Sequence, residues 1–135
     1  MTATYAGLLC AITRTVTEAD LATELYPDLH KPPVLATARL LRWCEHAAMG
    51  GIDGCAVGAG VSLRHLAPAV LGSTVAVNAC CTAVDGPRSR WSVTVHDAHE
   101  LIATGELWFV VVDPERYRAR LESKRLGAHP CRNDR

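Results

Sequence analysis

The spacing of apolar positions changes once along this chain, near residue 50. Before that point it is helical. In TARLLRWCEHAA (37–48), Leu40, Leu41, Cys44, Ala47 and Ala48 fall at i, i+1, i+4, i+7 and i+8 and form one buried stripe. Thr37 suits the N-cap and Gly50-Gly51 stops the helix. Arg39, Arg42 and His46 take the opposite side. Glu45 lies between the two, roughly 100° from the stripe centre, at the edge of the buried surface.

From residue 55 onward a period of two takes over. CAVGAGVSLRHLAP, GSTVAVNACCTAV, SRWSVTVHD and ELIATGELWFVVVD each read as a strand, and DGPR (85–88) is a turn joining the second to the third. Residues 7–14 add a first strand, and Thr17 with Asp20 nearly makes a capping box before a short helix. YPDLHKPP (26–33) cannot continue that helix. Asp113-Pro114 opens a last helix, PERYRARLESKRL, which Gly127 stops; AHPCRNDR reads as a frayed tail. Long strands with short turns imply an antiparallel meander. One long helix and four long strands predict a single α+β domain over residues 1–135, its curved sheet wrapped around the helix.

Composition narrows the class. The chain is 49% hydrophobic, enough for one core, and fourteen basic residues balance fourteen acidic ones. No net field draws it to nucleic acid or an anionic membrane, and no apolar run is long enough to span one. The N-terminal stretch lacks the basic start and cleavage site of a signal peptide. Six cysteines show no C-x-x-C pair and no secreted-scaffold spacing, so they read as small buried hydrophobes in a reducing, cytoplasmic protein.

Candidate chemistry begins on the strand containing VSLRHLA. Val61, Leu63, His65 and Ala67 share its more apolar face, which turns His65 toward the helix. Taken singly, an inward histidine is a core residue, Thr37 a helix cap and Glu45 a solvated acid at a helix edge. Together they read differently. PPVLATARLLRWCEHAAM, VGAGVSLRHLAPAVLGSTVAV and ELIATGELWFVVVD resemble the fluoroacetyl-CoA thioesterase-like family of hot-dog proteins over roughly residues 15 to 113. The family pattern has a threonine at the start of the central helix and a glutamate eight residues on. A histidine follows from a later strand, seven residues before a glycine. Thr37, Glu45, His65 and Gly72 occupy those positions, and Gly58 matches the glycine whose N–H faces the thioester oxygen.

The resemblance implies a hot-dog fold, an edge-to-edge homodimer and hydrolysis of an acyl-CoA thioester with Thr37, Glu45 and His65 as catalytic groups. It implies no cofactor beyond the coenzyme A of the substrate. An acyl chain tethered to a carrier protein is the alternative donor, and a non-catalytic acyl-binding dimer the alternative class. Hydrolysis needs a nucleophile, proton management and donors for an oxyanion. Glu45 suits either activation of water or direct attack; His65 suits polarising the Thr37 hydroxyl or protonating the thiolate. The segment before the helix lacks the lid phenylalanines of the fluoroacetyl-CoA enzyme, since the one phenylalanine is Phe109. A different acyl group is therefore expected.

Two other clusters carry weaker signals. His96, Asp97 and His99 sit where a turn is needed, with no further ligand spaced to complete a metal site, and none is expected. The basic last helix, without interleaved aromatics, reads as a solvated face and not a nucleic-acid surface. Trp43, Trp91 and Trp108 read as packing residues.

Overall fold

The computed structural model describes residues 4–127. The tail from Ala128 and the N-terminal three residues lie outside the described residues. Five antiparallel strands, β1 (Leu9–Thr15), β2 (Cys55–His65), β3 (Thr74–Asp85), β4 (Arg88–His96) and β5 (Leu101–Val112), form one sheet in the order β1-β3-β4-β5-β2. A 3-10 turn at Glu18–Asp20 and a short helix α1 (Ala22–Leu25) lead to the long helix α2 (Thr37–Met49); α3 (Pro114–Arg125) follows β5.

Strand alternation builds the core. Val75, Val77, Ala79 and Cys81 of β3 are buried, as are Trp91, Val93 and Val95 of β4, whereas Ala76 and Asn78 between them face solvent. Against this face lies α2, through Leu40, Trp43, Cys44, Ala47 and Ala48. The α2 stripe differs from the expected one by a single exchange. Trp43 is buried, and Leu41 is half-buried, packed against the margin of the core.

Only β3, β4 and β5 form a meander. β2 does not neighbour β3, as simple succession would have it, but crosses to the far edge and pairs with β5. Within that pairing Gly105 lies opposite Leu63, and a Cβ there would strike the Ser62 carbonyl oxygen and lie 3.0 Å from Leu63 Cα. Glycine at 105 thus lets β2 close onto β5. Among the described residues β2 has no neighbour on its other side, and Val61, on the inner face opposite the buried Leu107, is 47% exposed at that open edge. No helix among the described residues is long and apolar enough to cross a membrane.

Candidate active site

The start of α2 sets the site. Ala36, not Thr37, is the N-cap: its N–H donates to the Asp20 carbonyl at 2.9 Å, which holds it extended (φ −72°, ψ 140°), and Thr37 becomes the first helical residue. No side chain caps this helix, so the Thr37 hydroxyl is released from the role expected of it. It meets His65 instead, with Oγ1 2.9 Å from Nδ1.

A clamp that the sequence pattern did not show fixes this turn. Asp20 is buried, and its Oδ2 accepts from the Thr17 N–H at 2.8 Å and the Thr17 hydroxyl at 2.9 Å. Its Oδ1 lies 3.2 Å from Arg39 Nε on the first turn of α2. The Thr17-to-Asp20 spacing was the visible signal; the partner nineteen residues further on was not.

His65 ends β2, half-buried, with Nε2 enclosed and without a partner. Burial pushes its pKa below the ordinary imidazole value, because a charged ring loses hydration there; the nearby Ala67 backbone works in the opposite direction. The ring is thus held neutral near pH 7.

Glu45 occupies the other end of the site. It is half-buried, as the helical projection implied, and lies beside Gly58: a Cβ on residue 58 would sit 3.4 Å from Glu45 Oε2. A register shift between Gly58 and Gly60 bends β2 at this point. The adjacent Cys44 thiol is pushed up to about 12, by burial and then by the Glu45 charge, and so serves packing and not nucleophilic chemistry.

The chain therefore assembles two pairs, Thr37 with His65 and Glu45 with Gly58. Eight helical residues separate them by about 12 Å along α2. The trailing Gly72 touches neither pair; its N–H donates to the Val16 carbonyl at 2.8 Å in the loop before β3. In the His96–His99 segment, Asp97 accepts from the backbone N–H groups of His99 (2.8 Å) and Glu100 (2.9 Å), which explains the cluster as a turn. Those two bonds lower the Asp97 pKa.

The model of the fluoroacetyl-CoA-specific thioesterase family, FlK, matches residues 16–115. The chain belongs to that family. It is a thioester hydrolase with a hot-dog fold. Similar solved structures include the fluoroacetyl-CoA thioesterase FlK, 25% identical over 89% of this chain and 96% of that one, with a TM-score of 0.80. A hot-dog-like protein from Thermanaerovibrio acidaminovorans is 27% identical over 90% and 93% of the two chains, also at 0.80. A Thermus thermophilus thioesterase superfamily member is 26% identical over 96% and 100%, again at 0.80. Among curated proteins none matches the sequence.

Proposed function

We propose that the protein hydrolyses an acyl-CoA thioester with Thr37, Glu45 and His65 as catalytic groups, and that a homodimer completes each site. The observation that carries this reading is the division of the family pattern into two pairs about 12 Å apart on one helix. A glutamate side chain does not bridge that gap. The open edge of β2 offers the remedy, since α2 and β2 run in opposite directions and the two pairs lie toward opposite ends of both. Two copies pairing antiparallel through β2, about a two-fold axis between Val61 and Ser62, set Gly58 opposite His65 of the partner subunit. The Glu45–Gly58 pair of one copy then faces the Thr37–His65 pair of the other. Such pairing would also cover the exposed Val61 and satisfy the unpaired strand edge.

Thr37 Oγ1 and His65 Nδ1 share one hydrogen bond. With the imidazole proton on Nδ1, that proton is donated to Thr37 Oγ1, which leaves the hydroxyl hydrogen free for the thioester carbonyl oxygen. Glu45 of the partner subunit accepts a proton from water as the water oxygen attacks the carbonyl carbon. The oxyanion is held by the Thr37 hydroxyl and the Gly58 N–H. On collapse the C–S bond breaks, the sulfur leaves with the bonding pair, and the Glu45 proton passes to it. No cofactor enters beyond the coenzyme A of the substrate.

Thiol release from a panel of acyl-CoAs, short to medium and branched to aromatic, tests the activity. Mixed dimers of Glu45→Gln and His65→Ala test the assembly. Each variant alone is expected to be inactive. Random pairing gives half heterodimers with one whole site of two, so about a quarter of wild-type activity should return on mixing. A mixture as dead as its parents would place the site within one chain. Turnover of an acyl-carrier-protein thioester but of no CoA ester would make the carrier protein the donor.

A further inference from the structure

The sequence is neutral overall, but its charge is unevenly placed. Residues 1–113 hold seven Lys and Arg against eleven Asp and Glu. In α3, Arg116, Arg118, Arg120, Lys124 and Arg125 stand against only Glu115 and Glu122, a net charge of +3. No residue of α3 is buried. Glu122 is paired with Arg125, while Arg116, Arg118, Arg120 and Lys124 make no ion pair among the described residues. At the base of the helix Arg116 and Arg120, one turn apart on the same face, line a groove with Val112, Asp113 and the half-buried Tyr117. The Asp113 carboxylate in this groove is committed to capping, accepting from the Glu115 N–H at 3.0 Å.

We infer that this groove binds the adenosine 3′,5′-bisphosphate end of coenzyme A, with Arg116 and Arg120 on the phosphates and the Tyr117 ring beside the base. The inference rests on the acyl-CoA reading above and assigns the part of the substrate that the catalytic pairs do not touch. Position supports it. Val112 lies opposite Cys55 and Phe109 opposite Gly58, so β5 ends roughly 10 Å beyond Gly58 along the sheet, and α3 begins two residues later. The nucleotide of an acyl-CoA is held a pantetheine arm away from its thioester, and an anion site should stand off from Gly58 by such a reach. Charge supports it as well: a polyphosphate is the anion most in need of several unpaired arginines, and the acidic remainder of the chain would repel it elsewhere. Arginine adds stacking and bidentate geometry that lysine lacks.

The test compares one acyl group carried on coenzyme A and on pantetheine, with wild type beside the Arg116→Gln/Arg120→Gln double variant. Because α3 contributes nothing to the core, the double variant should fold as wild type does. The preference for the CoA ester over the pantetheine ester, as a ratio of KM values, should shrink about tenfold in the variant and shrink likewise in wild type as salt is raised. An unchanged ratio would overturn the inference. So would a variant defect confined to an acyl-carrier-protein substrate, which would make α3 a docking helix for an acidic protein. Calorimetric titration with adenosine 3′,5′-bisphosphate separates this inference from the catalytic one. Binding by wild type that the variant loses supports the groove even if no thioester is cleaved, and equal or absent binding sinks it even if thioesters are cleaved.

Discussion

The two long helices are nearly equal in length, thirteen residues in α2 and twelve in α3, and have almost nothing else in common. Five side chains of α2 are buried against the sheet, and no side chain caps its first turn. In α3 nothing is buried, while Asp113 caps it, Pro114 presets its first residue and Lys124 and Arg125 favour its C-terminal dipole. A twelve-residue helix is marginal in water on its own, so those local terms matter for α3 and are dispensable for α2. One helix is held by tertiary packing and the other by its own ends. Packing fixes a rigid platform for Thr37 and Glu45; the exposed helix is free to be basic.

The largest effect that would sharpen this contrast is catalytic. Thr37→Ala should lower kcat on an acyl-CoA by about 10²–10³, the usual loss for an oxyanion donor, whereas Thr37→Ser should retain most of it. Equal losses in thiol-release assays would mean that the hydroxyl is not what matters. Next comes the packing of α2. Leu40→Ala, at 0% exposure, should cost about 2–5 kcal/mol in urea denaturation, while Leu121→Ala, 52% exposed on α3, should stay within about 0.5 kcal/mol. Comparable losses would break the comparison.

Asp113→Ala should remove about 1 kcal/mol from α3 alone. Amide exchange would then quicken in α3 while the global urea midpoint stays in place; a shifted midpoint would show α3 to be coupled to the core. The smallest expected effect concerns His65. Its folded pKa is lowered, so below the ordinary value of about 6.5 the unfolded chain binds a proton that the folded chain still refuses. Stability should fall as pH drops from about 6.5 toward the lowered pKa, and His65→Gln should flatten that slope. A stability that rose on acidification would reverse the assignment.

What was legible in the sequence was local. The period of Leu40, Cys44, Ala47 and Ala48 and the alternation of β3 and β4 each depend on neighbours a few residues away, and these elements formed where the pattern put them. Pairing was not local. Nothing in the composition of β2 says that it leaves β3 and crosses to β5, because both arrangements bury the same inner face. Capping also misled: Thr37 has the right side chain for an N-cap, yet the Asp20 carbonyl and the Asp20–Arg39 clamp set the helix start one residue earlier. Thr37, Glu45 and His65 stood out only through the resemblance to the family pattern, and two of them touch. Their division between the ends of α2 follows from the rise of a helix, which eight residues of text conceal.

Gly105 carries a consequence for how this family is probed by mutation. It holds no chemistry and lies beside none of the three proposed catalytic groups, yet any side chain there would collide with the Ser62 carbonyl two positions before Arg64. The collision would lift the strand that ends in His65 while the core under α2 stays intact. In a saturation scan scored by turnover, position 105 would therefore rank with the catalytic residues, and in one scored by abundance it would rank far below Leu40. The gap between those two ranks separates a residue that shapes the site from one that performs its chemistry.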